Sequence, residues 1–159
     1  MIERRIKLSV SGKETFFLWG PRQTGKSTLL HSIYPEAIWI DLLKAEEFRR
    51  YLSHPEWLRQ EIPIEGRRPF VVIDEVQKLP ELLDEVHWLH ENRHVQFALC
   101  GSSARKVKRG HANLLGGRAL RYEMFGLVSA ELQHDFDLCR LLNHGYLPRI
   151  YLATQPDRL

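Results

Sequence analysis

The sequence predicts an α/β protein in three layers, a mostly parallel sheet with helices on both faces. Phe70-Val71-Val72-Ile73 is apolar without alternation, as suits a strand covered on both sides, and such strands belong to parallel sheets. Apolar runs of this kind alternate along the chain with amphipathic, helix-spaced segments, the pattern of successive strand-helix-strand units. Thr15-Phe16-Phe17-Leu18-Trp19 also leads through a glycine-bearing loop straight into Ser27-Thr28-Leu29-Leu30-His31-Ser32-Ile33, which has helical spacing.

At 159 residues the chain is one domain of ordinary size, and its 43% hydrophobic and 27% charged residues are those of a globular protein with its own core. It has two cysteines, Cys100 inside an apolar run and Cys139. That usage predicts a reduced, cytoplasmic protein without a disulfide. The first residues lack a signal peptide's apolar core, no run is long enough to span a bilayer, and no membrane partner is expected. A net charge of +3 and a pI near 9.0 are mildly basic, as a site for an anionic ligand alone would require, and establish no nucleic-acid partner.

Ile2, Ile6 and Val10 recur every fourth residue between Arg4, Arg5 and Lys7, which predicts a short edge helix, with a basic arm for nucleic acid as the sharper alternative. The strand ending at Trp19 comes next, and then Gly20-Pro21-Arg22-Gln23-Thr24-Gly25-Lys26-Ser27-Thr28. This is G-x-x-x-x-G-K-[ST] between a strand and a helix, the context that a phosphate-cradling P-loop requires. Gly20 and Gly25 let the backbone wrap closely, so that successive N–H groups and the helix N-terminus point at a β-phosphate. Lys26 would bridge β- and γ-phosphates, and Ser27 would offer its hydroxyl to magnesium.

Tyr34-Pro35 stops that helix. Residues 37–42 form a second strand, followed by a charged helix over 44–51 with Phe48, Tyr51 and Leu52 on its apolar side. A short helix with Trp57 and Leu58 then begins at Pro55, with Ser53 or His54 near its N-cap. The strand Phe70–Ile73 ends in Asp74-Glu75, and the carboxyl ends of central parallel strands are where ligands bind. Asp74 is therefore read as the acid that holds magnesium opposite Ser27, and Glu75 as the carboxylate that orients the water attacking a γ-phosphate.

Pro80 opens an amphipathic helix carrying His87 and His90. With His94 these have metal-ligand spacing, but His94 falls at or past the helix end and no partner acid or cysteine is fixed nearby, so no metal is assigned there. Residues 95–100 form the next strand, ending in Gly101-Ser102-Ser103. Ser102 and Ser103 either contact the γ-phosphate or its attacking water, or cap the next helix. The basic run Arg105-Lys106-Val107-Lys108-Arg109 is either a surface that meets phosphate or a solvated face. Arg118, at the corner before a strand over 119–125, is a candidate to offset transition-state charge, in cis or across a subunit contact. Ser129 caps a last helix.

Assembled, these residues resemble the AAA-like P-loop ATPases, also called archaeal-type ATPases. The resemblance rests on Phe17 to Ser27, with Pro21, Arg22 and Gln23 between the glycines, and on Ile73-Asp74-Glu75-Val76-Gln77-Lys78-Leu79-Pro80. Gly101-Ser102-Ser103 and Leu115-Gly116-Gly117-Arg118 add to it, and it extends over about residues 3–150. It implies a three-layer P-loop NTPase fold, ATP and Mg2+ as cofactors, and Lys26, Ser27, Asp74 and Glu75 as the residues that carry them. Members of that family continue well past a segment like Gly145-Tyr146-Leu147-Pro148-Arg149, so the resemblance implies a nucleotide domain shorter than usual, with residues 144–159 opening a connection to a further part.

The expected function is that of a magnesium-dependent ATPase, splitting the β–γ phosphoanhydride bond to drive or reset a conformational switch. Two alternatives stand beside it, a nucleotide-gated module binding nucleic acid or protein with negligible turnover, and a small-molecule kinase using the 105–118 segment as a lid. No Asn-Lys-x-Asp string that would read guanine occurs. Partners beyond ATP, including a homo-oligomer, a protein or a nucleic acid, are left open.

Overall fold

The computed structural model describes residues 2–8, 14–63, 69–103, 114–117 and 119–156. Five strands, β1 (Phe16–Trp19), β2 (Ile38–Asp41), β3 (Phe70–Asp74), β4 (Gln96–Gly101) and β5 (Leu120–Glu123), form one sheet in the order β2-β3-β4-β1-β5. Every pairing is parallel. Helix α1 (Lys26–Ile33) joins β1 to β2, α2 (Ala45–Ser53) and α3 (Trp57–Glu61) lie between β2 and β3, and α4 (Leu82–Arg93) joins β3 to β4. After β5 come α5 (Ser129–Leu132), α6 (Leu138–His144) and α7 (Pro148–Tyr151).

The strand order separates the helices into two layers. The chain leaves β1 for the far edge and then steps back through β3 to β4. Right-handed crossovers in opposite directions put their helices on opposite faces. Strand periodicity matches this division, because successive side chains point to opposite faces. Phe17, Trp19, Ile40, Val71, Ile73, Phe97 and Leu99 pack with Tyr51, Leu58, Leu82, Val86 and Leu89 of α2, α3 and α4. The alternate residues Phe16, Leu18, Val72, Ala98 and Cys100 pack with Leu30 of α1 and with Tyr34. A smaller cluster of Leu127, Leu132 and Tyr151 gathers the last helices, with Leu141 and Ile2 against it.

Four local expectations change. Residues 2–8 are not helical, and burial alternates along them with Ile2, Arg4, Ile6 and Leu8 turned inward. A spacing of four fits a period of two as well as 3.6, so the isoleucines alone could not separate helix from extended chain. Leu52 is 53% exposed, while Phe48 and Tyr51 pack on the core. His54 ends α2 by donating its N–H to the Arg50 carbonyl, and α3 starts only at Trp57, after turns of the i to i+3 kind through residues 54–59. Ser129 is the first residue of α5 and not its cap; the Glu131 carboxylate accepts from the Val128 N–H there. His90 Nδ1 lies 3.2 Å from Thr15 Oγ1, and His94 follows the last residue of α4 as its cap at φ +54°. No helix among the described residues is long and apolar enough to cross a membrane.

Candidate functional site

The carboxyl ends of β1, β4 and β5 are level, Trp19 pairing with Gly101 on one side and Glu123 on the other. Just beyond, the Met124 N–H donates to the Trp19 carbonyl at 2.7 Å, which brings the Met124 backbone against the loop that leaves β1. A Cβ on Gly20 would sit 1.9 Å from the Met124 carbonyl oxygen, so this loop can start only with glycine. At its other end Gly25 has φ +90°, left-handed backbone that a side chain would strain. Between them the Thr24 hydroxyl donates to the Pro21 carbonyl at 3.0 Å, cross-bracing the loop. The Leu29 N–H bonds to the Gly25 carbonyl and carries the chain into α1.

Lys26, the first residue of α1, is only 6% exposed. Its ammonium donates to the carbonyls of Gly20 and Pro21, each at 2.7 Å. A buried cation must be paired or solvated by dipoles, and here the loop backbone supplies them. One residue on, Ser27 Oγ donates to Asp74 Oδ2 at 2.6 Å, while Asp74 Oδ1 accepts the Glu75 N–H at 2.9 Å. Ser27 and Asp74 thus present two hard oxygens side by side. That set fits magnesium, which takes one or two protein oxygens and leaves its other positions to phosphate and water.

Glu75 has φ +57° and ψ +38°, a left-handed conformation uncommon outside glycine, asparagine and aspartate. It turns the chain from β3 into a 3-10 turn over Val76–Lys78, and its carboxylate is buried against the Gln77 side-chain amide. Cys100 lies below on β4. Burial first, and the Asp74 charge next, push its thiol well above the ordinary range.

A cavity of about 410 Å3 brings Arg22, Gln23, Gly25, Lys26, Ser27 and Thr28 together with Asp74, Glu75 and the exposed Leu43. Gly20, Pro21, Ser102 and Ser103 instead line a neighbouring cavity of about 240 Å3, with Trp19, Arg121, Glu123 and Phe125. Thr24, wholly buried, faces a third cavity of about 170 Å3 with Gly25, Thr28, Leu29, Ile2, Arg4, Leu127, Pro148 and Leu152. Arg118 and the basic run from Arg105 to Arg109 lie outside the described residues.

Two residues without an assigned role in the sequence are central to this geometry. Arg4 donates to the Thr24 carbonyl at 2.6 Å, to the carbonyls of Phe125 and Gly126 at 2.7 and 3.2 Å, and to Glu131 Oε1 at 3.1 Å. It thereby ties the P-loop to the segment after β5. Burial would raise the Glu131 pKa, but the Arg5 N–H, the Arg4 guanidinium and the Val128 N–H together hold it below its ordinary value. Gln77 is the other, spanning from Glu75 to Ser102. In the sequence, Arg4 is one of several basic residues in a charged segment, and only its partners distinguish it. Gln77 belongs to the Ile73–Pro80 run on which the family resemblance rests, but nothing in the sequence gives it a role of its own.

The AAA domain family's sequence profile matches residues 12–133. No curated protein matches the chain. Among solved structures, the ORC2 protein of Aeropyrum pernix, in ADPNP-ADP complexes, is similar with a TM-score of 0.52 and 16% identity, over 77% of this chain and 45% of that one. Its ADP form is similar with the same score and 13% identity, over 76% and 44% of the two chains. A point variant of RuvB from Thermotoga maritima gives 0.51 and 18%, over 76% and 41%. The chain therefore spans less than half the length of these structures, and at such identities the likeness shows the fold alone. With the profile match covering most of its length and the all-parallel sheet carrying the P-loop at its β1 end, the chain belongs to the AAA domain family of P-loop ATPases.

Proposed function

We propose that this domain binds magnesium-ATP over the ends of β1, β3 and β4 and hydrolyses it to drive or reset a conformational switch. The observation that carries the reading is the convergence of Lys26, Ser27, Asp74 and Glu75 on one cavity. Two hard oxygens, a cation and a further carboxylate in one pocket match the needs of phosphoryl transfer.

Lys26 would exchange the Gly20 and Pro21 carbonyls for β- and γ-phosphate oxygens, and Ser27 and Asp74 would hold the metal. Bound magnesium would neutralise charge on the phosphate oxygens as the β–γ bond breaks. Glu75 would orient and polarise the attacking water, which adds to the γ-phosphorus as ADP leaves. Ser102 and Ser103 would meet the γ-phosphate from the β4 side, and Arg118 would offset charge in the transition state. The apolar cavity walled by Ile2, Leu29, Leu127, Pro148 and Leu152 adjoins the loop through Gly25 and Thr28, and we assign the base to it. The ADPNP and ADP of the similar ORC2 structures support adenine as that base. Residues 144–159 are proposed as the start of a connection to a further part of the protein, and the family likeness favours a cytoplasmic homo-oligomer, protein or nucleic acid as the partner of the switch.

Phosphate release from magnesium-ATP, measured across protein concentrations with Lys26→Ala as control, tests the reading. Activity per molecule that rises with concentration indicates a site completed by a second subunit, and constant activity a self-sufficient one. Release no greater than that of Lys26→Ala, with nucleotide still bound, leaves a nucleotide-gated binding module instead.

A further inference from the structure

Gln77 is built into the junction between β3 and β4 with its side-chain amide directed at site residues. Its side chain, 7% exposed, folds back from the 3-10 turn so that Nε2 donates both to Glu75 Oε2 and, at 3.0 Å, to Ser102 Oγ. Its Oε1 accepts the Ser102 N–H at 3.3 Å. An amide can donate to a carboxylate and accept from a backbone N–H at once, whereas an ionised glutamate could not donate and a leucine could do neither.

The space is reserved for it. A Cβ on Gly101 would come within 2.1 Å of Gln77 Oε1 and 2.6 Å of the Trp19 ring, so β4 ends in glycine where the amide crosses. Glu75 itself stands in left-handed backbone, a conformation that persists where surrounding contacts over-determine it. The amide also bonds to one lining residue of each of two cavities, Glu75 of the first and Ser102 of the second.

We propose that Gln77 is a positioning residue that sets the Glu75 carboxylate and couples it to the occupancy of Ser102. The inference rests on the hydrolytic reading above. Ser102 Oγ accepts from Gln77 and keeps its own proton free to donate. A phosphate oxygen arriving at Ser102 takes that proton in a hydrogen bond and, by polarising the hydroxyl, strengthens the bond from Gln77. The amide then reports the arrival to Glu75, so that the carboxylate is held for water when the anion is present. Gln77 touches neither phosphate nor metal in this scheme and acts through its two neighbours.

The test is steady-state phosphate release by the full chain and its Gln77→Leu, Gln77→Met, Ser102→Ala and Glu75→Gln variants, with nucleotide affinity measured in parallel. Either Gln77 substitution should lower kcat by about 10- to 100-fold, as loss of an outer hydrogen bond to a site group commonly does, with KM and the dissociation constant changed less than about threefold. Adding Gln77→Leu to Glu75→Gln should cost nothing further, since the residue acts through that carboxylate. Unchanged kcat in a folded Gln77→Leu or Gln77→Met variant overturns the proposal. So does a loss that multiplies fully with that of Glu75→Gln, or one that falls on affinity and not on kcat. Release by the parent chain no greater than by Lys26→Ala overturns the hydrolytic reading and this inference together, whereas normal release by parent and Gln77 variants overturns the inference alone.

Discussion

Ser27 Oγ donates to Asp74 Oδ2 at 2.6 Å, a bond spanning 47 residues of chain and joining the first turn of α1 to the end of β3. β4 lies between β1 and β3 in the sheet, so the contact is made above the end of an intervening strand. It is where the glycine-lysine-serine loop meets the acidic end of β3. Asp74→Asn keeps the shape and an acceptor for Ser27 but removes the charge. Affinity for ATP should then fall by about tenfold or more in magnesium and stay within a factor of about two in a chelator, since one full charge on a divalent ion is at stake. Titration with a fluorescent ATP analogue, with and without magnesium, checks this; equal losses in both would remove Asp74 from the metal.

Gly20 and Gly25 serve the loop for different reasons, and their alanine variants should separate. At Gly20 the new Cβ meets backbone at 1.9 Å, which no side-chain rotation relieves, and the link between β1 and the chain after β5 must open. At Gly25 the nearest atoms are 3.8 Å away, both at the ends of side chains, and only the left-handed backbone objects. Gly25→Ala should cost about 1–2 kcal/mol. Gly20→Ala should cost more than about 3 kcal/mol, in the range where a mutation points to a definite structural conflict. Urea unfolding of both variants gives the comparison, and similar midpoints would contradict it.

Much of this was legible beforehand, for identifiable reasons. β1, β3 and β4 are each four to six residues of nearly continuous burial, which leaves its mark as uninterrupted apolar sequence, and the glycine-lysine-serine loop lies between strand and helix as its pattern requires. What was hidden is carried by contacts between distant residues. Arg4 and Glu131, 127 positions apart, look like ordinary surface charges until the fold brings them together. The first segment misled because isoleucines four apart satisfy both regular periods. Leu52 misled because an apolar residue beside Tyr51 on a helix need not share its face. The division of P-loop residues among three cavities is likewise a product of tertiary packing, since Gly20 and Thr28 border different spaces although both belong to one motif.

The two cysteines should behave as opposites. Cys139 is exposed, whereas Cys100 is fully buried on β4 with its thiol pushed well up, chiefly by burial. The thiolate is the reactive form, so in the folded protein one equivalent of an alkylating reagent should be taken up quickly and the second only as the chain unfolds. Mass spectrometry over time at low and high denaturant reads this directly. Rapid double modification in native buffer would mean that β4 opens readily. Slowing of the second step by magnesium-ATP would measure how far nucleotide binding stabilises the folded state.

Arg4 and Glu131 should set the acid limit of the domain. Their side chains are 9% and 5% exposed, and the carboxylate accepts from the guanidinium, from the Arg5 N–H and from the Val128 N–H. Glu131 therefore ionises below its ordinary value of 4.5 in the folded protein. A group with a lowered folded pKa adds stability that is fully present above its unfolded pKa and is lost as the pH falls through the folded one. The parent should thus lose stability below about pH 4.5, and Glu131→Gln should remove part of that slope while lowering stability at pH 7. Arg4→Ala leaves Glu131 short of one donor and the Thr24, Phe125 and Gly126 carbonyls without theirs, and should cost about 3 kcal/mol, the scale for removing one partner of a buried ion pair. Because Arg4 also holds the Thr24 carbonyl, Arg4→Ala should weaken nucleotide binding where Glu131→Gln does so less, the loop losing its tether in the first case only. Urea unfolding between pH 3.5 and 7, with nucleotide titration at pH 7, checks both parts. Parallel stability curves for parent and Glu131→Gln through that range would show that this carboxylate does not carry the acid response.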